Sequence, residues 1–485
     1  MKKKNVILNY LYNSLYQLLI IITPIITTPY ISRVIGAEGI GVYSSTLGVA
    51  QLFNIFGMFG ILNYGSRAIA YVRDDKEKLN HTFWNVWIIQ CIFSFISLIM
   101  YWIIFISFDS LGLSKVYLIQ LPVVLGSLFD ISWFYVGVED FKKTVSRNVM
   151  VKIIGIICIF LFVKTESDLN KYIAINSIST FLGVLTLWIF LKEYISKIEF
   201  KDFKYKFHIR SALLLFIPQL TTHFYTGLDR TIIGLLSNSV EVGLYDQSQK
   251  VSRIALSLVT SLSTVLMPRI ANMFANKDNE KIGEYLYKSI NFTLLISCWL
   301  MTGIISVTKD FVPIFFGEDF IGIEIYMIFT SLIVLFIPFG GVFANQYALP
   351  TGRTKEYIFP LIQAAVINIV LNIIITPKLG ALGGVISIIL TEFITMATRI
   401  LLLKKYLNIR KLLEGSYIYI LAAVLSFSIT LFIGDFLKGG IISVLIEGII
   451  CTLIYSILII KFSPFYKNEV RSIVLSKIKE RKIIK

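Results

Sequence analysis

The stretch "GVYSSTLGVAQLFNIFGMFGILNYGSRAIA", Gly41 to Ala70, returns in altered form as "GLYDQSQKVSRIALSLVTSLSTVLMPRIAN", Gly243 to Asn272. Gly41 and Tyr43 align with Gly243 and Tyr245, and Arg67 with Arg269, at one ungapped offset. Each copy leads from a turn into a long helix that closes on a basic residue. The offset from one copy to the other spans six apolar helices, so both enter the membrane from the same side. That is the signature of parallel repeats about an axis along the membrane normal, here two lobes of six helices.

The rest of the chain agrees with a membrane solvent. Of its 485 residues, 56% are hydrophobic and only 16% charged, and the mean hydropathy is +0.76. A soluble chain of this length needs far more polar surface. Apolar runs of about 20 residues, each able to cross a ~30 Å hydrocarbon core, recur throughout. The expected fold is an all-α polytopic membrane protein of about fourteen transmembrane helices: two six-helix lobes plus two C-terminal helices. The organisation expected is an N-terminal lobe at 1–192, a basic cytoplasmic linker at 193–210, a C-terminal lobe at 211–404, helices thirteen and fourteen within 405–462, and a basic cytoplasmic tail at 463–485. "MKKKNVILNY" starts basic but leads into no small-residue cleavage site, so no cleavable signal peptide is expected. Cys91, Cys158, Cys298 and Cys451 all lie in apolar segments without metal-ligand spacing.

The formal net charge of +16 points to cytoplasmic loops rather than nucleic acid. With both termini inside, the outer side carries Arg33, Lys115, Lys164, Lys171, Lys309, Lys378 and Lys438. Nearly all other basic residues fall in inner segments such as "VRDDKEK", "EDFKKTVSRN" and "KEYISKIEFKDFKYKFHIR", or beside them. This asymmetry sets the orientation. Four cations remain inside helices two, seven and eight: Arg67, Arg230, Lys250 and Arg253. Intramembrane charge is costly and faces a cavity or a partner.

Between the first two helices, "ISRVIGAEGIGVYSS" (Ile31–Ser45) is expected to turn tightly at "GAEG" on the outer side, with Arg33 at the mouth of helix one. Arg33 is either an anion guide or a snorkelling anchor. Helix eight spaces Asp246, Lys250 and Arg253 by four and three residues, on one face. Helix seven carries Gln219, Thr222, His223, Thr226 and Arg230 along one side, and helix one a shorter stripe of Asn9, Asn13 and Gln17. Guanidinium groups match phosphate oxygens and stay charged, so this polar, cationic wall suits a phosphate or diphosphate. The candidate substrate-binding residues are Arg33, Arg67, Arg230, Lys250 and Arg253. The competing account is local pairing, with Asp229 or Asp246 neutralising Arg230 or Lys250. Glu392 and Asp229 are the candidates for a coupling ion or proton. Glu392 and Asp130 are intramembrane acids that could instead anchor hydrogen-bond networks. No Walker A pattern, catalytic triad or paired metal-ligand motif is present. No catalytic residue, metal or cofactor is expected, apart from a coupling cation, H+ or Na+.

"SRVIGAEGIGVY", "LDRTIIGLLSNSVEVGLYDQSQKV", "VLMPRIA" and "FFGEDF" resemble the Wzx-type polysaccharide flippases, of the superfamily that also holds lipid II flippases and MATE-type exporters. The resemblance spans the whole chain. It implies a V-shaped, two-lobed transporter, not an enzyme, in the bacterial cytoplasmic (inner) membrane. It implies movement of undecaprenyl-diphosphate-linked oligosaccharide to the outer leaflet for capsule or other surface polysaccharide, by alternating access driven by a cation gradient or membrane potential. The implied partners are that substrate, membrane lipid, and a polysaccharide polymerase with other assembly proteins. Lys250 falls about where lipid II flippases keep a cavity arginine, so a point charge replaces a bidentate fork. The alternatives are a lipid II or teichoic acid precursor flippase, an integral glycosyltransferase or polymerase, and a MATE-like drug exporter.

Overall fold

A computed structural model describes residues 6–109, 111–196, 205–275 and 278–467. Residues 197–204 of the basic linker and most of the tail lie outside these residues, as do the side chains of Asn9, Asn13, Gln17, Thr226 and Arg269. The described residues are helical throughout, with no strand, as an apolar solvent requires when every backbone donor must bond within its own segment. Eleven of the helical segments are long and apolar enough to cross a membrane. The stretches expected as helices seven and eight are helical but not among the eleven, and the expected first pair is counted as one segment.

Packing divides the chain into two units, one of residues 1–246 with 372–380, the other of 247–371 with 381–485. The lobes expected from the repeat are a different cut, made on sequence symmetry rather than on contacts. The first unit contains α1 (Val6–Met58), α2 (Ile61–Val72), α3 (Lys76–Tyr101), α4 (Ser114–Phe129), α5 (Ser132–Gly137), α6 (Phe141–Phe162), α7 (Leu169–Leu191), α8 (Tyr205–Thr226), α9 (Asp229–Leu236) and the first turns of α10 (Ser239–Ala275). The second holds the rest of α10, then α11 (Asn279–Phe315), α12 (Glu324–Ser331), α13 (Ile333–Gly341), most of α14 (Thr354–Leu379), α15 (Ala381–Leu403), α16 (Ile409–Leu412), α17 (Tyr417–Gly434) and α18 (Ile441–Phe462). Wide i→i+5 turns follow α3 and α13.

Helix starts follow local chemistry. Asp75 caps α3 by accepting from the amides of Glu77 and Lys78 at 3.2 and 3.1 Å, and Asn238 accepts from Glu241 N at 3.0 Å before α10. The turn expected at "GAEG" reduces to one residue: Gly36 alone leaves helical geometry, at φ 70° and ψ 178°. The three residues after it are helical, because glycine is needed only where φ turns positive.

The expected fourth and seventh helices are each interrupted. Helix four breaks at Asp130, and its freed groups find partners inside the protein. Gln90 donates to the carbonyls of Ser127 and Asp130 at 2.5 and 3.0 Å, and Trp133 Nε1 donates to Gln90 Oε1 at 2.9 Å. Asp130 Oδ1 accepts from Ser132 N at 2.8 Å. The carboxylate of Asp130 thus caps the turn that follows the break, a contact that fits the second of the two roles open to it. Around this break an aromatic core of Phe83, Trp133, Phe134 and Tyr135 is fully buried. The second unit has its own core on α11, α13, α17 and α18, including Leu294, Phe339, Tyr419 and Tyr455. Outward faces such as Ile92, Phe95, Ile96 and Ile99 on α3 are exposed apolar bands, which fit contact with hydrocarbon.

Candidate functional site

Where α1 meets α9 and the start of α10, the first unit is packed at backbone distance. A Cβ on Gly41 would lie 1.6 Å from the carbonyl oxygen of Ser239, and one on Gly243 would lie 2.0 Å from that of Ala37. The two glycines that align in the repeat thus share one contact, each against the carbonyl four residues before the other. Small residues that let helices approach this closely are a main device of association in lipid. Thr231 Oγ1 adds a hydrogen bond to Ser45 O at 2.7 Å, and His223 Nε2 lies 3.3 Å from Gly48 O. His223 is buried at this contact between α8 and α1.

This junction holds the charged group. Arg230 Nε meets Asp246 Oδ1 at 2.6 Å, and the hydroxyl of Tyr245 donates to Asp229 Oδ2 at 2.6 Å. Asp229 is 1% and Asp246 5% exposed, so neither carboxylate is solvated and each needs a protein partner. Local pairing, one of the two accounts of Arg230, is realised, and the partner is Asp246 across the α9–α10 turn rather than the adjacent Asp229. The pair makes a carboxylate compatible with this depth and leaves Arg230 partly neutralised.

Farther along α10, in the second unit, Gln247, Ser248, Gln249 and Ser252 are fully buried. Arg253 donates through Nε and Nη2 to Gln249 Oε1 at 2.9 and 2.5 Å. The amide oxygen of Gln249 thus orients the guanidinium through two of its donors. Lys250 is partly exposed on the same helix. Arg33 and Arg67 are exposed. Arg33 turns back along α1 and donates to Pro29 O at 2.6 Å, a contact that fits an anchor. Arg67 sits on the outer surface of α2.

Glu392 is buried on α15 in a polar stripe with Thr391, Thr395 and Arg399. Arg399, 8% exposed, has an Nε without a hydrogen-bond partner among the described residues. It went unsingled in the sequence because it stands near a helix end, where bases are ordinary. Glu447 on α18 is also missing from the candidate residues: 5% exposed, with Oε2 unpartnered among the described residues. Its signal was plain, a lone acid in "IISVLIEGIICTLIYSILII".

Residues 6–274, more than half of the chain, match the family described as Polysaccharide biosynthesis protein. The chain belongs to that family. Residues 215–374 also match the MatE family. Among relatives of known name, the Putative O-antigen transporter of Escherichia coli (strain K12) is 23% identical over 393 residues, covering 79% of this chain and 93% of that protein. The Probable low-salt glycan biosynthesis flippase Agl15 of Haloferax volcanii is 21% identical over 252 residues, 51% of each chain. Among solved structures, Lipid II flippase MurJ in its inward closed conformation matches at a TM-score of 0.74 and 16% identity, covering 96% of this chain and all of that one. The fold is therefore shared with MurJ. The resemblance to Wzx-type flippases holds for family and fold, and this member of the polysaccharide biosynthesis family is a multi-pass membrane protein whose named relatives are transporters and flippases.

Proposed function

We propose that this chain flips undecaprenyl-diphosphate-linked oligosaccharide from the inner to the outer leaflet of a bacterial cytoplasmic membrane, for capsule or another surface polysaccharide. The observation that carries this reading is the buried polar run of α10, in which Gln249 presents the guanidinium of Arg253. A cation oriented inside a membrane helix suits the diphosphate of such a lipid, and the names of the sequence relatives supply the glycan. In this reading Arg253 and Lys250 contact the diphosphate, and Arg33 and Arg67 guide the anion at the two gates. Arg230 contributes only the charge that Asp246 leaves. Two six-helix lobes alternate access, and Glu392 or Asp229 takes the coupling H+ or Na+. Both termini face the cytoplasm, where glycan-assembly proteins such as a polymerase would meet the chain. A flippase for lipid II or a teichoic acid precursor is the second reading, favoured by the fold shared with MurJ.

The test is flipping of lipid-linked oligosaccharide by purified protein in vesicles. A charge-assisted hydrogen bond is worth about 1.5–3 kcal/mol, so Arg253→Ala should weaken substrate binding by about tenfold to a hundredfold. Arg253→Lys should retain part of the activity. Glu392→Gln should slow gradient-driven flipping while binding persists. If Arg253→Ala and Lys250→Ala both fold and flip at the unmutated rate, the cationic mechanism is wrong. Transport of lipid II in preference to oligosaccharide-linked lipid would select the second reading.

A further inference from the structure

The second unit holds a cavity of about 700 Å3 where α11 begins, the turns after α13 end, α14 starts and α16 lies. This is within the roughly 300–1,000 Å3 of small-ligand sites. It sits at the basic ends of the helices, the level at which lipid headgroups meet a membrane protein, and none of the residues assigned to transport lines it.

Arg353 forms its cationic wall. The guanidinium carbon lies 3.3 Å from the ring centroid of Tyr406 and 5.6 Å from that of Tyr347, so the group is stacked and held in place. Its Nε is buried without a hydrogen-bond partner, and among the described residues no carboxylate pairs with it. The carboxylate nearest in sequence is already engaged: Glu356 meets Lys405 at 3.3 Å and accepts from the hydroxyl of Tyr406 at 3.1 Å. Glu284, on the cavity edge, meets Lys288 at 3.1 Å. Glu280, Glu414 and Lys411 complete the exposed edge. Arg353 is therefore the charge farther inside the cavity, and its mouth carries Lys411 beside Glu280 and Glu414.

We infer that this cavity binds a phosphate ester that also carries a primary ammonium group, as phosphoethanolamine does. Arg353 and Lys411 take the phosphate, for which a stacked guanidinium with a spare donor is well suited. Glu280 and Glu414 take the ammonium. A ligand with phosphate alone would leave these two carboxylates facing an anion, and a quaternary ammonium could not donate hydrogen bonds to them. The ligand is either the headgroup of a phospholipid in the adjoining leaflet or a soluble ester of the same chemistry. The inference is independent of which glycan lipid is carried.

The full chain is placed in phosphatidylcholine nanodiscs doped with phosphatidylethanolamine or phosphatidylglycerol, and retained lipid is counted by native mass spectrometry. The unmutated protein should retain phosphatidylethanolamine over both other lipids. Arg353→Gln and the double variant Glu280→Gln/Glu414→Gln should each cut that retention about tenfold or more. Displacement by millimolar O-phosphoethanolamine assigns the site to a soluble ester, and resistance to displacement assigns it to membrane lipid. The inference is overturned if the unmutated protein shows no selectivity and does not bind O-phosphoethanolamine, if phosphatidylglycerol is preferred, or if the double variant binds as the unmutated protein does. Should Arg353→Gln not fold, the double variant on the exposed edge decides alone.

Discussion

Arg230 and Asp246 show how a charge becomes tolerable in an apolar solvent. Their 2.6 Å contact lets two groups share a desolvation cost that neither could meet alone. Arg230→Gln removes a cationic partner from a carboxylate that is 5% exposed and should cost about 2–3 kcal/mol, below the fully buried range because the arginine side chain keeps some solvent contact. Arg230→Gln with Asp246→Asn should recover most of that loss, since an amide pair can hydrogen bond without stranding a charge. Thermal stability in detergent for the two single variants and the double checks this. A double variant no more stable than Arg230→Gln would show that the pair is not the stabilising contact. The partner was not decided by proximity along the chain, where Asp229 is adjacent. The α9–α10 turn brings Asp246 to Arg230, while the hydroxyl of Tyr245 occupies one oxygen of Asp229.

At the scale of elements, the repeat has a mechanical meaning. Gly41 on α1 and Gly243 on α10 lie against the backbone carbonyls of Ser239 and Ala37, and a backbone atom cannot move aside as a side chain can. Gly41→Ala and Gly243→Ala should each destabilise the protein by about 1–3 kcal/mol or more through forced separation of the helices. Gly283→Ala, at a position with open space around it, should be nearly neutral. Yield and melting temperature of the three variants make the comparison, and equal behaviour would refute the contact. The interruptions have the same logic. A helix breaks at depth only where other groups take over its hydrogen bonds, as Gln90 does at Asp130. Apolar runs do not reveal such breaks, because the rescuing residue lies on another helix.

For the whole molecule, the charge asymmetry carries the orientation. Single cysteines at Lys76, Lys204 and Lys281 should react with membrane-impermeant reagent only from the cytoplasm, and those at Lys164 and Lys438 only from outside. One site on the wrong side would break the fourteen-helix topology and shift every helix after the error. Four free cysteines give this experiment its background, so it requires a cysteine-free parent. The proportions of the chain add a physical constraint: α10 and α11 are each 37 residues long. At about 1.5 Å per residue each spans about 55 Å, more than a ~30 Å core, so both extend past the hydrocarbon.

The sequence alone determined the solvent, the helical class and the expected orientation, because hydropathy, helix length and loop charge are sums over many residues that no single contact can reverse. It also marked α10 as the helix that matters, since three charged residues on one face of an apolar segment are legible without a partner. The glycine repeat was visible as a pattern, but only the packing showed that Gly41 and Gly243 lie at one contact between α1 and the start of α10. Pairing was decided by the fold for Asp246 with Arg230 and for Tyr406 beneath Arg353, whereas Gln249 meets Arg253 within one turn of α10. A side chain's charge is written in its identity, whereas whether that charge is spent or still available depends on what the fold places within about 3 Å of it.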